Sequence, residues 1–290
     1  MKSGSFSALK FSLRHKCPAC GAPLKTPTES EITCGGCARK YPVVGGIPSL
    51  LAREYHDGIF ETYFYEMAKT GSDAARTVGM THWQHSLLQR AFERIMSNIP
   101  DGSLVLDVGC GHGVLASSFA EKLTVVGIDY TFPMLPMARK HGLIPYHADA
   151  TALPFENDQF DAVVCAELLQ QFNDIGPVMS EATRVCRHGG SVIVSTLNRK
   201  SILRKLFRSG MRFLDTKSGT MSLASKNILR SRDELVNAAS RLPFESCEVY
   251  WTHYPFSWLR RADANPPILE ALASNIIIRF KKSGNDLGES

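Results

Sequence analysis

The sequence predicts an α/β fold: a mainly parallel sheet covered by helices on both faces, preceded by a small metal-stapled module. Three observations carry this reading. After Pro100, short β-branched runs recur at intervals of roughly 20 to 30 residues with helical stretches between them. One of those runs leads directly into the glycine-rich loop "LDVGCGHG", residues 106–113. Two C-x-x-C pairs lie within the first 37 residues. Hydrophobic residues at 44% and charged residues at 21% of the 290-residue chain are enough for a proper core. No apolar run approaches the roughly 18 to 20 residues that span a bilayer. The basic start "MKSGSFSALKFSLRHKC" lacks the apolar core and cleavage site of a secretory signal. A cytoplasmic setting is therefore expected, in which the eight cysteines stay reduced.

In chain order, residues 1–53 form the first module. "CPAC" (Cys17, Cys20) and "CGGC" (Cys34, Cys37) bring four thiolates to one point, the tetrahedral set that Zn²⁺ prefers. Four protein ligands leave no open position, so such a metal holds structure. Four free or redox-active thiols are the alternative. A segment of about 50 residues cannot build an adequate core alone, and a metal would supply the missing stability. "YPVVGGIPSLL" reads as a strand and a Gly/Pro turn closing the module. Cys110, Cys165, Cys186 and Cys247 are scattered and read as packing residues.

Residues 54–99 read as an amphipathic helical lead-in covering the cofactor and acceptor site, with "LLQRAFERIM" at three- and four-residue apolar spacing. The main domain spans 100–282. Its strand candidates are "SLVLDV", "TVVGID", "LIPYHAD", "FDAVVCA", "GSVIVST", "ESCEVYWTH" and "SNIIIRFK". Helical stretches include "VLASSFAEK", "PVMSEATRVCR" and "SRDELVNAAS", the last opened by a capping-box pair, Ser231 and Glu234. The polar tail 283–290 reads as disordered. Charge is uneven: the insert 198–232 carries +9, leaving −4 for the remainder of a chain whose net charge is +5.

The glycine loop and the acids beside it bear on the cofactor class, and neither feature settles it alone. Gly109, Gly111 and Gly113 form G-x-G-x-G, and Val114 stands where a dinucleotide fingerprint requires a third, later glycine. Asp107, two residues before the first glycine, would repel a pyrophosphate but suits a cofactor with a cationic amino acid. Asp129 ends the next strand, where an acid accepts hydrogen bonds from both ribose hydroxyls. Together the two acids favour S-adenosylmethionine, which bears an ammonium and a sulfonium and no phosphate.

"LDVGCGHG", "GIDY", "HADATALPFENDQFDAVVCAELL" and "CRHGGSVIVST" resemble, in that order, the successive motifs of class I S-adenosylmethionine-dependent methyltransferases of the type 11 group, over roughly residues 100 to 197. The resemblance implies a Rossmann-like seven-stranded sheet with an antiparallel last strand and the cofactor across the carboxyl ends of the first strands. By position, Asp107, Gly109, Cys110, Gly111 and Gly113 would hold the methionine part, Asp129 the ribose, and Tyr130, Asp149 and Ala150 the adenine. Cys165 to Glu167 would face the methyl group. An ordinary turn role for Asp149 and a core role for Tyr130 remain open.

"CAELLQQF" is most similar to the stretch after the fourth strand of ubiquinone-pathway O-methyltransferases, where C-x-E-x-L-E-H places acids and a histidine near the acceptor hydroxyl and a divalent metal. Glu167 matches the first acid, but Gln170 and Gln171 replace the second acid and the histidine. An amide is a poor base and a weak Mg²⁺ ligand, which argues against a metal-assisted step. Glu167 as base or orienting group stands beside a capping role at a helix start. Gln171 and His85, in "THWQHSLL", are further catalytic candidates.

"RKSILRKLFRSGMRFL", 199–214, reads as a basic amphipathic helix: a lid, a peripheral contact with anionic lipid, or a plain surface helix. The front module resembles the zinc-ribbon activators of methyltransferases, and zinc ribbons also precede some rRNA methyltransferases. The expected function is methylation, at oxygen, of a small-molecule or lipid-linked acceptor, with the ribbon structural or docking a protein partner. An rRNA or tRNA methyltransferase gripping RNA with the ribbon and an inactive scaffold are the alternatives; the ribbon's thin positive surface speaks against the former.

Overall fold

A computed structural model describes residues 13–52, 82–202, 205, 227–252 and 267–284 of the chain. The predicted lead-in over 54–81, most of the basic stretch 199–214 and the tail from 285 lie outside the described residues. Among the described residues, no helix is long and apolar enough to cross a membrane.

The strands in chain order are β1 (Glu31–Thr33), β2 (Lys40–Val44), β3 (Ile47–Leu50), β4 (Leu104–Val108), β5 (Thr124–Asp129), β6 (Ile144–Ala148), β7 (Phe160–Cys165), β8 (Cys186–Leu197), β9 (Phe244–Thr252) and β10 (Asn275–Lys282). The helices are α1 (His82–Met96), α2 (Val114–Ser117), α3 (Leu135–Lys140), α4 (Gly176–Val185), α5 (Arg232–Ala239) and α6 (Pro267–Leu272). All ten strands form one sheet in the order β1-β2-β3-β6-β5-β4-β7-β8-β10-β9. Pairing is parallel from β3 through β8, while β10 runs antiparallel to both β8 and β9. The seven expected strands are therefore present with their antiparallel last strand, and the front module extends the sheet by three more.

Alternate residues of the central strands feed two separate cores. Leu106, Val126, Val163 and Val192 pack on one face, and Val105, Val125, Ala162 and Ile193 on the other. Burial on both faces is why these strands read as unbroken apolar runs rather than alternating ones. The reversal of strand order falls at β4, so the carboxyl ends of β5, β4 and β7 border the crevice where ligands of such sheets bind.

Two elements differ from the sequence expectation. "YPVVGGIPSLL" is a hairpin rather than one strand and a turn: Gly45 and Gly46, with φ of +55° and +73°, make a two-residue loop open to glycine in both positions. Its second strand then leaves the module and pairs with β6, Ser49 opposite His147 and Leu50 opposite Ala148. The helix expected over "VLASSFAEK" is regular only through Ser117. The hydroxyls of Ser117 and Ser118 bond back to the carbonyls of Val114 and Leu115, which competes with helix continuation. The Ser231–Glu234 capping box opens α5 as expected.

The front module is fastened at a second place. The Arg14 amide donates to Gln159 Oε1 at 2.8 Å, the Lys16 amide to the Pro154 carbonyl at 3.2 Å, and the Glu156 amide to the Arg14 carbonyl at 3.0 Å. The His15 ring lies against Tyr146 and Phe155. On the hairpin side, Arg139 donates to the Gly45 carbonyl at 2.8 Å.

Candidate active site

Asp107 and Asp129 sit on neighbouring strands at the carboxyl edge, Asp107 as the penultimate residue of β4 and Asp129 as the last of β5. Asp107 is only 3% exposed. Burial, reinforced by the negative charge of Asp129, raises its carboxyl to about 7. Burial also raises Asp129, against two backbone donors: Thr131 N–H to Oδ1 and Gly111 N–H to Oδ2, each at 2.7 Å. The glycine loop is thus tied to β5 through the Asp129 side chain. It is tied again by the Gly109 and Cys110 amides, which both donate to the Ile128 carbonyl at 2.9 Å. Burial and the two carboxylates keep Cys110 a thiol.

Gly109 adopts φ +75°, and a Cβ there would come within 2.7 Å of Leu168. The segment after β7 therefore lies directly on the glycine loop. That segment holds Glu167, a non-glycine residue at φ +54° and 7% exposed. Left-handed backbone costs a glutamate about 1 kcal/mol or more and persists only when the surroundings impose it. Ser195 and Asn275 impose it. The Glu167 amide donates to Ser195 Oγ at 3.0 Å, while the Ser195 hydroxyl at 2.8 Å and Asn275 Nδ2 at 2.9 Å donate to Glu167 Oε1. Glu167 Oε2 is buried without a partner among the described residues. Glu167 stands just before the 3-10 turn Leu169–Gln171, whose N-cap is Leu168 and whose first turn holds no acid.

The other sequence candidates are placed as follows. Asp149 accepts from both the amide and the hydroxyl of Thr151 at 2.8 Å, holding the turn after β6, and Ala150 follows it, 9% exposed. Cys165 is fully buried in the core, and burial together with the charge of Asp107 pushes its thiol up. Gln170 is buried with Oε1 unpartnered among the described residues, Gln171 is half-buried one residue on, and His85 is half-buried on α1. Gly113 ends the loop and precedes α2, packed on Ala138 and Leu143.

His147 is a residue the sequence reading passed over. Its Nε2 lies 2.9 Å from the Tyr130 carbonyl and its Nδ1 2.7 Å from Ser49 Oγ. A carbonyl only accepts, so Nε2 carries the proton and Nδ1 accepts from the Ser49 hydroxyl. Ser195 and Asn275 were missed as well. Their signal was a polar residue inside or at the head of an otherwise apolar strand, in "GSVIVST" and "NIIIRF".

In the front module, the sulfurs of Cys17, Cys20, Cys34 and Cys37 all lie within 4.8 Å of one another. Zn–S bonds of about 2.3 Å in a tetrahedron place sulfurs roughly 3.8 Å apart. The Cys17–Cys37 and Cys20–Cys34 pairs stand at 3.8 and 3.5 Å, which suits such an ion. The amides of Cys37 and Gly36 point at Cys34 Sγ from 3.3 Å and lower that thiol to about 6.

Residues 106–194 match the family described as "Methyltransferase domain". This chain carries a methyltransferase domain. Over 155 residues it is 33% identical to a ubiquinone biosynthesis O-methyltransferase of Hydrogenovibrio crunogenus, a match covering 50% of this chain and 63% of that protein. A second such enzyme, from Erwinia tasmaniensis, is 32% identical over 168 residues, covering 53% and 66%. The chain thus spans less than two thirds of these relatives' length. In fold it is similar to a SAM-dependent methyltransferase from Thermotoga maritima, with a TM-score of 0.57 at 17% identity, covering 77% of this chain and all of that one. The class I methyltransferase fold is thereby shown. The sequence candidates from Asp107 to Gln171 lie inside the methyltransferase domain's matched segment; His85 and the four clustered cysteines lie outside it.

Proposed function

We propose that the chain transfers a methyl group from S-adenosylmethionine to the oxygen of a small-molecule or lipid-linked acceptor. The observation that carries this reading is a pair of carboxylates, the buried Asp107 and the half-buried Asp129, beside a G-x-G-x-G loop: desolvation raises both, and the charge of Asp129 raises Asp107 further, an arrangement a cation would relieve. Such a donor set fits a ligand with an ammonium, a sulfonium and a ribose diol, and it does not fit a pyrophosphate.

Asp107 and the loop from Gly109 to Gly113 would hold the amino-acid end, Asp129 the ribose hydroxyls, and Tyr130, Asp149 and Ala150 the adenine. S-Adenosylmethionine supplies an activated methyl group, so the protein's task is to align and deprotonate the nucleophile. Glu167 would do this: Ser195 and Asn275 fix Oε1, and Oε2, without a partner among the described residues, would take the acceptor hydroxyl's proton. Gln170 and Gln171 supply no charge for a divalent metal. The ubiquinone-pathway relatives, named as O-methyltransferases, support oxygen as the methylated atom.

The four thiolates would hold Zn²⁺ in a closed site, which supplies structure and no chemistry. A protein partner at the ribbon is suggested by the setting of one fold neighbour: a chain from a complex between the Haloferax volcanii Trm112 methyltransferase activator and a methyltransferase is similar in fold, with a TM-score of 0.53 at 14% identity, covering 79% of this chain and all of that one. In the present chain the ribbon is already joined to the sheet edge.

The test is transfer of radiolabelled methyl to a small-molecule and lipid extract of the native cell. A base-stable, organic-soluble labelled product is expected, as an ether would give. Glu167→Gln should lower the rate by roughly 10² to 10⁴ with donor affinity unchanged. Label appearing in RNA or protein instead, or full activity in the variant, contradicts the reading.

A further inference from the structure

The ribbon contributes more than its own fold. We propose that it completes the methyl-donor site: Ser49 of β3 and His147 of β6 are positioning residues that hold the turn following Asp129. This rests on the donor site proposed above.

The chain of contacts is continuous. β3 pairs in parallel with β6, which sets Ser49 opposite His147. The Ser49 hydroxyl donates to His147 Nδ1 at 2.7 Å, and His147 Nε2–H donates to the Tyr130 carbonyl at 2.9 Å. Tyr130 directly follows Asp129, whose two oxygens take the Gly111 and Thr131 amides. The His147 ring is gripped edge-on by Tyr130 and Phe132, with centroids 6.0 and 5.3 Å away. An imidazole can turn and can exchange its proton between two nitrogens. The Tyr130 carbonyl, which only accepts, sets the tautomer, and the Ser49 hydroxyl, donating to Nδ1, holds the ring in the orientation that keeps the N–H on the Tyr130 side. Within the methyltransferase domain β6 has β5 on one side; its other neighbour is the ribbon's strand. The orienting hydroxyl thus comes from outside the domain, on a strand paired in a hairpin with β2 of the module that carries the four cysteines.

Burial keeps the ring neutral, so it works as an oriented donor and acceptor rather than as a charge. What it fixes is the backbone on which Asp129 and Tyr130 meet the ribose and the adenine. A turn that must be ordered at the moment of binding lowers affinity; a turn ordered beforehand does not.

The experiment is calorimetric titration of the full, metal-loaded chain with S-adenosylmethionine and S-adenosylhomocysteine, at a temperature where thermal scans show every variant folded. Ser49→Ala should weaken both ligands about three- to tenfold, and Ser49→Thr, which restores the hydroxyl, should recover wild-type affinity. His147→Phe keeps the ring volume without its nitrogens and should weaken binding about tenfold; His147→Gln, which keeps a donor near the Nε2 position, should recover part of that. Because the two residues act in series, the Ser49→Ala/His147→Phe double variant should bind no more weakly than His147→Phe alone. A merely structural role would lower the unfolding temperature and leave the affinity of the folded protein unchanged, without rescue. Wild-type binding together with unchanged affinity in Ser49→Ala and His147→Phe overturns this inference and leaves the donor site standing. Absence of binding in the wild type overturns both.

Discussion

Asp107→Asn lowers affinity for the methyl donor by at least about a hundredfold while making the donor-free protein more stable at pH 8. The two effects have one cause. Asp107 is a buried carboxylate beside another, and its folded-state carboxyl titrates at about 7 rather than at the ordinary 3.8, first through burial and then through Asp129. A charge placed this way waits for a cation, and removing it from a buried ion pair costs roughly 2–5 kcal/mol of binding. The pH behaviour follows from the sign of the shift. An acid raised from 3.8 to about 7 contributes its full stability below pH 3.8 and loses it as pH climbs through 7. At pH 8 the wild-type protein bears the whole penalty, at most about 4 kcal/mol, and the asparagine variant bears none. Donor affinity moves the other way, falling as pH drops below 7 and Asp107 takes up a proton. Thermal scans of both proteins at pH 5 and pH 8, with and without donor, read all of this. A variant less stable than wild type at pH 8, or one that binds donor normally, contradicts it.

Withdrawing a metal from the four-cysteine cluster proposed to hold it is expected to have the second large effect. The four sulfurs already stand at near-tetrahedral spacing, and bringing uncompensated thiolates so close is unfavourable without an ion. Folding free energy in such modules comes largely from the metal. Loss on the order of 3 kcal/mol would lower the unfolding temperature by roughly 6–12 °C. The effect should not stay local, because β3 is a strand of the main sheet and the Arg14–Lys16 segment is bonded to the loop between β6 and β7. A strong chelator, or Cys34→Ser, is expected to lower the unfolding temperature of the whole chain in a single transition, and elemental analysis should find one zinc per chain. A metal-free chain of unchanged stability contradicts this account of the module.

Local patterns explain what the sequence made legible. Strands buried on both faces leave apolar runs, and Asp107 and Asp129 stood out because each interrupts such a run at its carboxyl end. The four cysteines were readable by spacing alone. Long-range pairing is what stayed hidden. Nothing in "IPSL" tells that it leaves its hairpin to join β6, since a four-residue strand with one polar side chain fits many edges. The conformation of Glu167 was equally hidden: its left-handed backbone is imposed by Ser195 and Asn275, 28 and 108 residues away in sequence. The short α2 was misread because apolar spacing was weighed and the two serine hydroxyls that bond back to their own turn were not.

The most direct measurement is calorimetric titration of the purified chain at pH 7.5 with S-adenosylmethionine and, separately, with a nicotinamide dinucleotide, in two buffers of different ionisation enthalpy. The account predicts uptake of one equivalent of S-adenosylmethionine, with proton release as the ligand's cation draws Asp107 into its charged form, and no uptake of the dinucleotide. Tight dinucleotide binding with no response to S-adenosylmethionine would contradict it.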